Sequence, residues 1–259
     1  MEDFRIQSVL LTGSDRGIGL GLVQEFVKLP HPPQLLFATC RHPESLEGQV
    51  LKEMAARCSN GSRLVVLQLD VTDPHSIEAA AEEVEKYLAG RGLNLLINNA
   101  GIACETTLAS ETAQSMAAVY ATNTIGPLQV CQAFLPLLKR AARRSNCLGM
   151  SCSKAAVINM SSSYGSISAV DEWEWHQDVG YRCSKAALNM LTRCQSLGYG
   201  PCGILCVSLH PGGVKTCLGA EKGVLTVDSS ARGILEVLSR LSAKDNGTFL
   251  DWRGQTVPW

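Results

Sequence analysis

A doubly wound parallel β-sheet with helices on both faces is the architecture this sequence predicts. Three observations lead there. Short apolar runs alternate with longer helical stretches along the chain; runs such as LLINNA are apolar on both faces; and a glycine-rich turn joins the first run to the first helical stretch. Two-sided apolar strands suit a sheet covered by helices above and below. Repeated β-α units with right-handed crossovers generate the open, doubly wound form.

The order of elements is regular. SVLLTG is followed by IGLGLVQEFVKL, QLLFATC by ESLEGQVLKEMAARC, and RLVVLQLDV by HSIEAAAEEVEKYLAG. The alternation continues through NLLINNAG, a long helical region at 111–144, AAVINMSS, a helix containing YRCSK at 181–185, and ILCVSLHPGGV. One domain spanning 1–259 accounts for this order, because no Pro/Gly/Ser linker and no longer repeat interrupts it. Two segments break the rhythm: NCLGMSCSK at 146–154 and SISAVDEWEWHQDVG at 166–180. Long connections near strand ends are more often functional than decorative.

Composition narrows the classes. The 259 residues are 46% hydrophobic and 18% charged, enough to fill a sizeable core. Net charge is −1, so no overall basic field favours nucleic acid, and KRAARR at 139–144 reads as a solvated helix end. Eleven cysteines are scattered singly, without a CxxC pair or a zinc spacing, and the expected metal content is none. The N-terminal MEDFRIQSVLLTG has no basic region and long apolar core. A cytoplasmic protein with reduced thiols, no membrane span and no nucleic-acid partner is expected.

In LLTGSDRGIGLGL, Gly13, Gly17 and Gly19 sit between a strand and a helix. Glycines there permit a tight turn and let backbone approach a pyrophosphate, while the helix N-terminus offers its free N–H groups. At the end of the second strand, FATCRHPES supplies Arg41 where an acid would grip a ribose hydroxyl, and Arg16 lies in the glycine turn itself. Arginine pairs bidentately with phosphate, which favours NADP(H) over NAD(H). Arg41 could otherwise cap a strand in solvent.

Tyr181 and Lys185 stand four apart and share one helix face. That spacing alone is common. Joined to TGSDRGIG at 12–19, LDV at 69–71, NNAG at 98–101, Asn123 in YATNTIGP, the serines before YG at 161–165 and HPGGVKT at 210–216, it resembles the short-chain dehydrogenase/reductase family. The end of the second strand and the C-terminal NGTFLDWRGQTVPW look most like the sniffer and C-factor type carbonyl reductases. The resemblance implies a Rossmann fold and a cofactor bed that includes Gly13, Ser14, Arg16, Gly17, Ile18 and Gly19. It adds Arg41, Asp70 and Val71 toward the adenosine, and Asn98, Ala100 and Gly101 along the floor. Pro211, Gly212, Val214 and Thr216 would lie about the nicotinamide carboxamide, and Tyr181 and Lys185 near its ribose.

It also implies a tetrad of Ser162, Tyr181, Lys185 and Asn123, with Ser161 or Ser163 open by register. A phenol working near neutrality needs its pKa lowered by about 2 to 3 units, or about 3 to 4 kcal/mol. One charge at about 4 Å supplies roughly that at an effective dielectric of about 20, and about a quarter of it in bulk water. The pair must therefore be shielded. Arg182, Cys183 and Ser184 between them are not needed for this task. Ser162 to Tyr181 is 19 residues, longer than the family commonly has; the surplus DEWEWHQD offers Trp173, Trp175 and His176 as substrate contacts. The expected activity is NADPH-dependent reduction of an aldehyde, ketone or quinone. A catalytically idle NADPH-binding module is the other reading. The resemblance favours a homodimer, with a monomer open.

Overall fold

The computed structural model describes residues 4–58, 62–145, 149–215 and 224–259. Its sheet holds seven parallel strands: β1 (Ser8–Thr12), β2 (Leu35–Cys40), β3 (Arg63–Gln68), β4 (Leu95–Asn98), β5 (Ala156–Met160), β6 (Leu205–His210) and β7 (Phe249–Asp251), ordered 3-2-1-4-5-6-7. This is the Rossmann order expected. The strand order reverses between β1 and β4, and the crevice beyond those strand ends is where such sheets take ligands.

Alternation along each strand divides the core in two. Val9 and Leu11 of β1 face one side, with Leu22 and Phe26 of α1 (Gly17–Lys28) and Ile234 and Leu238 of α7 (Val227–Arg240). Leu10 faces the other, with Val84 of α3 (Pro74–Leu88) and Phe134 of α5 (Gly126–Arg144). Both faces are dry, which is why the strands carry no polar alternation. α2 (Leu46–Arg57), α4 (Ala113–Tyr120) and α6 (Val179–Tyr199) complete the two helical layers. Helix starts follow side-chain caps: Asp73 accepts from His75 N at 3.0 Å before Pro74, and Thr112 forms a capping box with Ser115.

The expected long helix at 111–144 is divided. A single π-turn, Ala121–Ile125, separates α4 from α5, with Asn123 at its centre. Pro127 in the first turn of α5 lacks an N–H, and Asn123 is pulled toward Ile102, so the ordinary ladder gives way there. The short β7 lies in a C-terminal stretch whose three strand residues carry no periodic signal. The nine described cysteines are free. No helix among the described residues is long and apolar enough to cross a membrane.

Candidate active site

The glycine turn is fixed by β4 and the residues after it. Thr12 Oγ1 accepts from Asn99 N at 3.0 Å and Ala100 N at 3.1 Å, and Asn99 Nδ2 donates to Thr12 O at 3.0 Å and Gly13 O at 2.8 Å. Gly13 has φ +63°, and a Cβ there would stand 2.9 Å from Ala100 Cα. At Gly19 a Cβ would lie 2.0 Å from Gly13 O. Neither position accepts a side chain. α1 begins behind them with no side-chain cap and no acid in its first turn, leaving its N–H groups for an anion.

A cleft of about 440 Å³ opens over this turn. Gly13, Arg16, Gly17, Ile18 and Gly19 line one side, Arg41, Asp70 and Val71 the end beyond β2 and β3, and Ala100, Gly101, Tyr181, Lys185 and Pro211 the other end. Arg16 and Arg41 are exposed and make no ion pair among the described residues. Burial raises the Asp70 pKa, but Thr72 donates its hydroxyl at 2.7 Å and its N–H at 2.9 Å, and with Arg41 and His42 nearby the net shift is downward. Asp70 therefore stays ionised at the cleft edge. The capping role that a carboxylate could take there belongs to Asp73.

Several expected bed residues do something else. Ser14 is fully buried and turns its hydroxyl back to Leu11 O at 2.8 Å, shaping the turn rather than facing the cleft. Asn98 points to the opposite face of β4, donating to Asn159 Oδ1 at 2.8 Å and Cys131 Sγ at 3.3 Å. Strand alternation puts Asn99 on the cleft in its place. Gly212 packs on the Trp252 indole, and Val214 is buried in a bridge with Leu225. Lys215 lines the cleft instead, while Thr216 lies outside the described residues. Asp15, Cys40, Thr72, Ile102 and Thr122 also line it and were not anticipated. Asp15 could have been read from the glycine turn; the others needed the neighbouring strands.

At the far end, α6 delivers Tyr181 and Lys185 one turn apart to the end of β5. Lys185 is 5% exposed, donates to Met160 O at 2.7 Å and lies 5.6 Å from the Tyr181 ring centroid. Burial pulls its pKa from 10.5 down to about 8. For Tyr181, burial raises the pKa, a hydrogen bond with Ser162 lowers it and Asp178 raises it, for a net upward shift. The expected downward shift driven by Lys185 is not what the structure has: the ammonium is bonded to a carbonyl and desolvation of the phenol dominates. Ser162 also accepts from Tyr164 N at 3.2 Å. Its contact with Tyr181 favours it over Ser161, whose hydroxyl is buried without a hydrogen-bond partner beside the cleft.

Asn123 reaches this group from the π-turn. Its Nδ2 donates to Ile102 O at 2.8 Å and Ser184 Oγ at 3.0 Å, and its Oδ1 accepts from Ile102 N at 2.9 Å. A Cβ on Gly101 would come 3.3 Å from Asn123 Oδ1 and 3.7 Å from Lys185 Nζ, so the three converge. The residues inside YRCSK are not idle. Ser184 donates to Tyr181 O at 2.8 Å while receiving Asn123, and Arg182 bonds the backbone of the tryptophan-rich segment. Within that segment Trp173 is 36% exposed, Trp175 is 80% exposed and His176 is partly buried; none of the three lines the cleft.

The cleft suits a dinucleotide carrying an extra phosphate. Glycines a Cβ would block, an uncapped helix N-terminus, two unpaired arginines and an ionised Asp70 are what a pyrophosphate, a ribose phosphate and an adenosine would meet.

Known proteins share this fold. A carbonyl reductase from chicken fatty liver, solved with NADPH bound, is 54% identical, with 99% of this chain and all of that one covered at a TM-score of 0.94. The carbonyl reductase Sniffer of Drosophila melanogaster is 38% identical, with 98% of this chain and all of that one covered at 0.92. The C-signal protein of Myxococcus xanthus is 36% identical over 171 residues, 64% of this chain and 93% of its own length. The short chain dehydrogenase family model matches residues 7–223. With that match spanning most of the sheet and both halves of the cleft, the chain belongs to the short-chain dehydrogenase family.

Proposed function

We propose that the protein is an NADPH-dependent carbonyl reductase acting on aldehydes, ketones or quinones. The observation that carries this reading is the meeting of Tyr181 and Lys185 at one end of a cleft, with Ser162 hydrogen-bonded to Tyr181 behind it, while the other end presents Arg16 and Arg41 without an ion pair among the described residues. The similarity to the chicken enzyme supports the same reaction. In this reading Arg16 and Arg41 hold the ribose 2′-phosphate, Asp70 and Val71 border the adenine, and the N-terminus of α1 holds the pyrophosphate.

NADPH, when bound, supplies the hydride to the carbonyl carbon. The chain supplies the proton and the field. Tyr181 keeps its proton at neutral pH because burial raises its pKa, and the hydroxyl gives that proton to the carbonyl oxygen. Ser162 donates to the same oxygen as charge develops, a contribution of about 3 to 4 kcal/mol where such donors have been removed. Lys185, with a pKa of about 8, is largely protonated at neutrality and can return a proton to the phenolate. Asn123 and Ser184 hold the π-turn, Ile102 and the Tyr181 carbonyl in one arrangement.

The outer faces of α5 and α6 leave Met190 and Leu197 of α6, and Ile125 just before α5, in solvent. A second copy of the chain would cover them, as the family resemblance implies.

Tyr181→Phe tests the mechanism. It removes the proton donor and leaves the ring, so turnover of a carbonyl panel should fall about 10²- to 10⁴-fold with NADPH binding retained. Full turnover by the variant would overturn the assignment.

A further inference from the structure

Arg182 directly follows the reacting tyrosine and is the only buried arginine among the described residues, at 8% exposure. No carboxylate among the described residues pairs with it. Its Nε donates to Gln177 O at 2.8 Å, and one terminal nitrogen donates to Asp171 O and His176 O, both at 2.8 Å. The other terminal nitrogen is buried without a partner. The guanidinium lies 4.0 Å from the Tyr164 ring centroid and 5.9 Å from that of Trp173. A charge that loses its water needs compensation, and here carbonyl dipoles and aromatic faces provide it. All three carbonyls belong to one loop, so the side chain works as a clamp and not as half of an ion pair.

The clamp is joined to the chemistry on both sides. Tyr164, under the guanidinium, sets its ring edge-on to Tyr181 at 6.4 Å between centroids and donates to Glu172 Oε2 at 2.5 Å. Beyond Arg182 the same loop is stitched to the segment that carries Ile102 into the cleft: Asp178 N donates to Thr106 O at 2.8 Å, and Leu108 N to Gln177 Oε1 at 2.7 Å. Both stitched segments expose large apolar side chains, Leu108 at 70% and Trp175 at 80%. The loop therefore stands one residue behind the reacting phenol, through Tyr164, and Arg182 ties it to the helix bearing the phenol.

We propose that Arg182 is a positioning residue of the reaction: it holds residues 171–177 as the wall of the carbonyl-entry mouth and so sets substrate KM, without itself touching substrate or cofactor. The inference rests on the carbonyl-reductase reading of Tyr181. A purely structural arginine would make a different prediction, in which its loss lowers stability, turnover and NADPH affinity together.

Arg182→Lys keeps the charge but loses the fork and the stacking plane. KM and kcat are measured for a small aldehyde and a bulky aromatic ketone, NADPH affinity by fluorescence titration, and loop position by acrylamide quenching of tryptophan. The expected result is a KM raised about tenfold for the bulky ketone with kcat within about twofold, the small aldehyde and NADPH affinity unchanged, and quenching increased. Increased quenching with unchanged KM overturns the proposal, as does a joint loss of kcat and NADPH affinity. Unchanged quenching overturns the clamp. Should Arg182→Lys fail to fold, Tyr164→Leu removes the stacking platform, and an unaltered ketone KM in that variant overturns the proposal. If the wild type reduces no carbonyl at all, the carbonyl-reductase reading fails, while the quenching comparison still decides whether Arg182 holds the loop.

Discussion

Lys185→Met should change how stability depends on pH. The ammonium is 5% exposed and its pKa falls from 10.5 to about 8, with burial as the cause. The folded protein thus releases this proton before the unfolded chain does. Between about pH 8 and 10.5 the unfolded state binds more protons, so stability from this group rises with pH. Below about pH 8 the full penalty is present, about 3 kcal/mol from a shift of about 2.5 units. Methionine has a similar length and no charge, so the variant lacks the penalty and its pH dependence; it also loses the bond to Met160 O, a pH-independent offset. Urea unfolding of both proteins at matched pH isolates the effect, since most other titrations are shared. From about pH 7 to about pH 9.5 the stability difference should move by about 2 kcal/mol in favour of the wild type. A difference that stays flat across that range would refute the reasoning that Lys185 is buried at the cost of its charge.

Two further expectations concern the cofactor and assembly. Arg41→Ala and Arg16→Ala should each weaken NADPH binding by about one to two orders of magnitude, from loss of a charge-assisted bond of about 1.5 to 3 kcal/mol, and leave NADH affinity unchanged; equal losses for both cofactors, by titration calorimetry, would remove the 2′-phosphate assignment. Met190→Lys combined with Leu197→Lys should convert a homodimer to a monomer in sedimentation velocity with little change in Tm, because both side chains are two-thirds exposed; a wild type that already sediments as a monomer would discard the dimer.

Much of the site was legible because its signals are local. The glycine turn sits between a strand and a helix, and Tyr181 and Lys185 share a face by helical period, so short stretches of chain carry both. Arg41 could be placed at the end of β2 by counting. The side chains of Asn98 and Ser14 turn away from the cleft because neighbouring positions on a strand or in a turn point opposite ways, and one residue of register decides which meets it. Arg182 carries no signal between Tyr181 and Lys185, since its partners are backbone carbonyls of a preceding loop with no side-chain signature.

By itself the sequence determined the layered sheet, the glycine turn between β1 and α1, and the chemical identities and order of a hydroxyl, a phenol and an ammonium. Only the tertiary structure decided their electrostatics. Burial depends on what packs around a group, so it took α6 lying against β5 to make desolvation outweigh attraction, raising Tyr181 and lowering Lys185 together. The same packing set the tryptophan-rich insertion against α6, where Arg182 bonds three of its backbone carbonyls and none of Trp173, Trp175 and His176 lines the cleft.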